Sequence, residues 1–391
     1  VDPLTLHIRT GTPYPLLPND LSTIAIQEKR VVQGKATEDF NKGSAAIGTG
    51  PFKFVEWVPG NRLVLERNDK YWGPKADWSK VTFRPITNNA ARVAALLAGD
   101  VDFIENVPTA DLKQLKANPK LRIVEAVSNR VIYLHLDSNR EQSPFVFDND
   151  GKPLAKNPLR DQRVRLAMSK AINRQAIVER VMEGAAIPAG QLLPEGFFGV
   201  SPKLQPEKYD PEGAKKLLAE AGYPSGFKVT LHSPNDRYVN DEKVAQAVAQ
   251  MLTRVGVKTD VQAMPQSVYF TRASKLEFSL MLLGWGADTG EPSSPLKSLL
   301  ATNNPAKGFG TANRGRFSDP KLDDLLQQAL ETVDDDKRSL LLQQATEVGI
   351  GDVGIIPLHY EVTIWGMRSD LTFEGNASQY TQAFDIHPVK Q

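Results

Sequence analysis

Between Phe227 and Leu283 the sequence changes periodicity four times, and this alternation constrains the fold more than any other feature. Phe227 to Leu231 reads as a strand. Asp241 to Val255 then places Val244, Ala247, Val248, Met251 and Val255 at helical spacing. Val257, Thr259 and Val261 alternate as a second strand, a short helix runs near Ser267 to Lys275, and Phe278 to Leu283 contains an apolar third strand. A strand–helix–strand–helix–strand order normally means right-handed crossovers in a mostly parallel sheet, hence an α/β fold. In open α/β sheets, ligands bind beyond the carboxyl ends of the strands.

The flanking sequence is compatible with such a fold and is organised around it. Leu4, Leu6 and Ile8 alternate as one short strand before a turn-rich run, Gly11-Thr12-Pro13-Tyr14-Pro15. The stretch 34–50 is rich in Gly, Ser, Ala and Thr, which places a boundary near 43. Leu63-Val64-Leu65 reads as a strand, Val81, Phe83 and Pro85 as an edge strand, and Ala90 to Leu97 as a helix stopped by Gly99. Trp57, Trp72 and Trp78 are expected to support this region. Residues 131–136 are apolar on both alternating faces except His135, the pattern of a strand buried on two sides. Further helices follow Asp161, Asp210-Pro211 and Asp319-Pro320 and begin near Asp336; Val353 to Trp365 is a late strand, with Tyr360 and Trp365 expected in the core.

Composition removes several classes of function. Lys and Arg number 47 against 46 Asp and Glu, so a net charge of +1 gives no electrostatic basis for nucleic-acid binding. The chain has no cysteine, which excludes disulfides, thiolate metal sites and cysteine nucleophiles. No apolar run reaches the ~18 residues of a membrane-spanning helix. The phosphate-loop, dinucleotide, zinc-protease and nucleophile-elbow motifs are all missing, and the five histidines are scattered without metal-ligand spacing. No enzyme, cofactor or metal site is expected.

Two loops leave the carboxyl ends of strands in the alternating section and are the candidate binding site. Ser233 to Asn240 follows the first strand and offers Asn235, Arg237, a bidentate partner for a carboxylate, and Tyr238. Gly284 to Pro292 follows the third and combines Trp285, the flexible Gly286, and the acids Asp288 and Glu291. An aromatic wall, mobile backbone and negative charge suit a cationic or zwitterionic solute. The same residues also fit a solvated turn in which Trp285 packs on the core and Asp288 caps the turn. Asn313-Arg314, after Gly308-Phe309-Gly310, is a further candidate for a polar contact.

Five segments in order resemble the extracellular solute-binding proteins of ABC importers, family 5 (the peptide/nickel/opine type). They are Gly48 to Trp57; Leu65-Glu66-Arg67-Asn68-Asp69-Lys70-Tyr71-Trp72-Gly73; Ala95 to Asp102; Arg163 to Arg174; and Gly284-Trp285 through Asp288 to Glu291-Pro292. The resemblance implies a type II periplasmic-binding-protein-like fold of two lobes with mixed sheets. Residues 1–42 would be the remnant of a small third domain, 43–137 with 362–391 the first lobe, and 138–361 the second. It also implies a periplasmic protein that captures a peptide-like or small zwitterionic solute by lobe closure and delivers it to membrane permease subunits. Asp288 would pair with the solute's ammonium, Trp285 would line the pocket, and Arg237 is a candidate for the solute's carboxylate. The alternatives are a carboxylate-based hydrolase on a similar scaffold and a non-transport chaperone or sensor domain. The opening Val1-Asp2-Pro3 lacks a methionine, and family members are longer at this end. The chain is therefore expected to be processed or trimmed, with an exposed sheet edge that a dimer would cover.

Overall fold

The computed structural model describes residues 2, 4–22 and 24–390. The chain divides into two compact units, one formed by the residues up to Pro18 and Val127–Val362, the other by Asn19–Ala126 and the residues from Thr363 on.

In the second unit, β1 (Phe52–Val58), β2 (Arg62–Arg67) and β3 (Lys80–Phe83) form an antiparallel meander in that order. A bulge between Phe54 and Glu56 offsets the β1–β2 register. The expected helix is present as Asn89–Ala98. The Asn88 side chain accepts the Ala91 N–H at its start, and Gly99, at φ 79°, ends it. β4 (Phe103–Ile104) follows. Of the tryptophans expected to support this unit, Trp78 does so, donating its indole N–H to the Ile386 carbonyl at 2.6 Å. Trp57 and Trp72 do not behave that way; they are 44% and 83% exposed.

The first unit is a mixed α/β layer around β6 (Val146–Phe147), β7 (Ala186–Pro188), β8 (Phe227–Pro234), β9 (Val257–Met264) and β10 (Leu280–Gly286), with β5 (Leu121–Leu136) from Val127 on and β11 (Ile355–Arg368) up to Val362. The alternating section does form parallel pairs. β8 is central, with β9 beside it from Phe227↔Val257 to Pro234↔Met264, and β10 on its other side through Leu280↔Leu231 and Met281↔His232. The sheet as a whole is mixed rather than mostly parallel, because β5 runs antiparallel to β10 and β6 antiparallel to β8. The helices Asp241–Arg254 and Gln266–Ser274 are the crossovers.

Each face of this sheet is buried by its own apolar cluster. Ile132, Leu134, Phe227, Leu231, Val244, Val248 and Leu282 lie in one. Val131, Tyr133, Tyr269, Met281, Leu283, Leu326 and Leu342 lie in the other. A buried Leu or Val contributes about 1.5–3 kcal/mol relative to exposure, so the two clusters dominate the stability of the unit. Cations also enter this core. Arg174 is 4% exposed and donates to the carbonyls of Pro357 at 2.7 Å and Ser169 at 3.1 Å; burial lowers its guanidinium to about 10.

One expected strand does not form. Leu4, Leu6 and Ile8 alternate in sequence but are 97%, 81% and 47% exposed, and the backbone there is irregular. Alternation specifies a strand only where a partner strand and a core face exist to receive it.

Candidate functional site

Because β8 and β10 are parallel neighbours, their carboxyl ends open on the same rim and the two candidate loops meet there. Asp241, the first residue of the helix after β8, shapes the first loop. Its Oδ2 accepts the backbone N–H groups of Arg237 at 2.9 Å and Tyr238 at 3.0 Å. Burial raises the Asp241 carboxyl above its ordinary range, and those same N–H bonds oppose the rise. Asn240 carries the chain through a left-handed turn, φ 55°, into the helix.

Tyr238 is the hinge pin of the junction. Its hydroxyl donates to the Gly284 carbonyl at 3.3 Å, and its ring lies against Gly284 so closely that a Cβ there would meet Cε1 at 2.7 Å. Burial holds its phenol above the usual tyrosine range. Arg237 is exposed, its guanidinium 5.0 Å from the Tyr238 ring centre, and no carboxylate lies within ion-pair distance of it among the described residues. Asn235 is also exposed; its backbone N–H continues the β8–β9 ladder to the Met264 carbonyl at 3.1 Å.

The second loop is fixed by β5, which lies opposite in the register Trp285↔Val131 and Gly286↔Arg130. Asn129 exchanges bonds with Ala287, its side-chain amide donating to the Ala287 carbonyl at 3.1 Å and its carbonyl accepting the Ala287 N–H at 3.2 Å. Trp285 is half-buried against the core, with its indole N–H on the Ser294 hydroxyl at 3.3 Å. Asp288 is exposed and has neither a hydrogen bond nor an ion pair among the described residues, so it does not cap the turn. Glu291, the other acid of the loop, is unavailable to a solute. It is 3% exposed and ion-paired with Arg338, whose guanidinium stacks 4.3 Å from the Phe198 ring centre.

Sequence reasoning missed two residues at this junction. Arg130 pairs through Nε with Glu361 Oε2 at 3.4 Å, and Glu361 Oε1 accepts the Val239 N–H at 3.4 Å. Gly286 makes room for this pair, since a Cβ there would stand 3.2 Å from Arg130 Nη2. A carboxylate within the apolar run Val353 to Trp365 was the available signal, because an acid in a buried strand requires a partner.

Asn313 is closed to a solute. Asn313 is fully buried, its amide donating to the carbonyls of Ala301 and Phe317 and accepting the Phe317 N–H, so it holds its own loop rather than facing a solute. That loop packs on the C-terminal end of β5, where the Gly315 N–H donates to His135 Nε2 at 3.3 Å. Arg314 is half-buried, with its guanidinium 5.9 Å from the Phe270 ring centre.

Residues 1–307 match the family described as bacterial extracellular solute-binding proteins, family 5 (middle). The chain belongs to that family. It is 34% identical over 361 residues to the glutathione-binding protein GsiB of Pectobacterium atrosepticum, covering 89% of this chain and 65% of the relative. It is 29% identical over 365 residues to heme-binding protein A of Haemophilus influenzae, covering 92% and 62%. The chain thus spans slightly under two thirds of the length of these relatives. Among solved structures, the periplasmic binding protein DppA of Helicobacter pylori in complex with the peptide STSA superposes with a TM-score of 0.80 at 25% identity, covering 97% of this chain and 71% of that one. The fold is that of the type II periplasmic binding proteins, and these relatives are binding proteins rather than enzymes. No helix of the described residues is long and apolar enough to cross a membrane.

Proposed function

We propose that the chain is the solute-capturing component of an ABC importer, held in the periplasm, and that it delivers a peptide-like or small zwitterionic solute to permease subunits in the membrane. The observation that carries this reading is the rim where two parallel strands end. Asp288 is exposed and uncompensated on one rim loop, which also carries half-buried Trp285, and the exposed cation Arg237 is on the other. Asp288 suits the ammonium of the solute, and the indole supplies the apolar wall. Arg237 offers a planar fork to the carboxylate. Binding proceeds without a covalent step, and closure of two lobes on the solute belongs to the same proposal. The glutathione and peptide named for the relatives supply the first probes. Titration calorimetry with glutathione and with the tetrapeptide Ser-Thr-Ser-Ala is expected to give binding to at least one, weakened about tenfold or more by Asp288→Asn, since a desolvated charge pair is worth a few kcal/mol. Binding of either probe that is indifferent to Asp288→Asn would remove the aspartate from the site.

A further inference from the structure

The proposed function gives the charged ends of a zwitterion to Asp288 and Arg237, and a third charged group lies at the same junction. Arg130 enters from β5 opposite Gly286, the last residue of β10. Its side chain is 18% exposed, while that of its partner Glu361 is only 6% exposed, so the guanidinium is the outer member of the pair. Glu361 in turn receives the Val239 N–H, which ties the pair to the first loop; Gly286 gives way to Arg130 Nη2, which ties it to the second.

We propose that Arg130, neutralised by Glu361, receives a neutral acceptor of the solute, namely the carbonyl oxygen of an amide. This inference rests on the solute-binding reading above and names the chemistry one of its groups must have. The pair itself selects for neutrality. A solute carboxylate brought to Arg130 would also be brought beside the buried Glu361 carboxylate, and two like charges in a poorly hydrated site oppose each other. An amide carbonyl takes a charge-assisted hydrogen bond from the guanidinium without that repulsion. The placement also suits an amide. Asp288 follows Gly286 by two residues, so their Cα atoms stand at most about 7 Å apart, and a solute held by its ammonium at Asp288 would present its first amide, rather than a distant terminus, toward Arg130. Such a contact separates peptide-like solutes from free amino acids, which lack the amide.

The test uses the full chain and four probes: glutathione, glutathione amidated at its glycine carboxyl, the tetrapeptide Ser-Thr-Ser-Ala and its C-terminal amide. Calorimetry is run on the unaltered protein and on Arg130→Met, Arg130→Lys and Arg237→Ala. The amide reading expects Arg130→Met to weaken the acid and amide forms of a probe by the same factor, about tenfold or more, with Arg130→Lys in between. Arg237→Ala should weaken the acid form selectively. A loss at Arg130→Met confined to the acid form would make Arg130 a carboxylate receptor and overturn the proposal. Unchanged affinity for both forms would also overturn it, leaving the pair a structural tie. Circular dichroism and melting of each variant report folding; if Arg130→Met unfolds, the ratio of acid-form to amide-form affinity in Arg130→Lys decides by the same criterion. Failure of the unaltered protein to bind any of the four probes would instead sink the peptide-like reading, and this inference with it.

Discussion

The contact of Tyr238 with Gly284 is the structural claim on which the two-loop site depends, and Gly284→Ala tests it directly. The added methyl would stand 2.7 Å from Tyr238 Cε1, 3.1 Å from its Cζ and 2.7 Å from Ile132 Cδ1. The isoleucine methyl is the end of a flexible side chain and can turn away. The tyrosine ring is rigid and only 9% exposed, so it must move as a whole. Overpacking of this kind costs about 1–3 kcal/mol. Displacing the ring also breaks the 3.3 Å bond from its hydroxyl to the Gly284 carbonyl, which adds about 1 kcal/mol. The expected loss is thus about 2–4 kcal/mol, read as a lower urea midpoint, with weakened solute binding as the first loop shifts. The decisive measurement is the double-mutant cycle with Tyr238→Ala. Once the ring is gone, Gly284→Ala should cost no more than about 0.5 kcal/mol, giving a coupling well above the non-additivity of distant sites. If Gly284→Ala costs the same in both backgrounds, the tyrosine is not wedged on the glycine and the loops are joined in some other way.

Three further outcomes follow from the same geometry. Arg338→Ala leaves Glu291 buried without its cation and should destabilise the protein by about 3–5 kcal/mol, whereas Arg338→Met combined with Glu291→Gln should recover most of that loss in urea unfolding. Burial lowers His135 to about 3 and His232 and His359 to about 4, below the ordinary histidine value near 6.5. The unfolded chain therefore binds more protons between pH 6.5 and 4, and stability should fall as pH drops through that window, by up to roughly 3 kcal/mol per residue. His232, stacked 4.0 Å from Phe278, tests this: His232→Phe should flatten the pH dependence of the urea midpoint, and an unchanged slope would refute its contribution. Trp285→Ala should lower solute affinity at least tenfold in calorimetry while Trp72→Ala does not, because the proposed site includes Trp285 and not the 83% exposed Trp72.

Much of the scaffold was legible in the sequence because local rules agreed with the tertiary outcome. The Asp161, Asp210 and Asp319 side chains accept helix N-terminal N–H groups where the sequence places helix starts, and the three strands of the alternating section pair in one sheet. Leu4 to Ile8 form no strand despite their alternation, because period two is necessary for a strand but cannot supply its neighbour. The rim loops were found from topology, since a parallel pair must end on one side. Asn313 was legible as a loop amide but not as a buried one, because the Ala301 and Phe317 groups it bonds are set by the folding of its own loop.

What the sequence determined by itself is periodicity, capping and charge type, all properties of residues within a few positions of one another. Which charges remain available was decided by tertiary structure alone. Asp288 and Glu291 lie three residues apart in one loop and are indistinguishable as acids, but Arg338, 47 positions further on, neutralises the second and leaves the first in solvent. Arg130 and Glu361 are 231 positions apart and meet only because the sheet brings β5 and β11 side by side. Coulomb attraction and desolvation act over ångströms of space, whatever the distance along the chain, so the electrostatics of the site came into being only when the sheet closed around it.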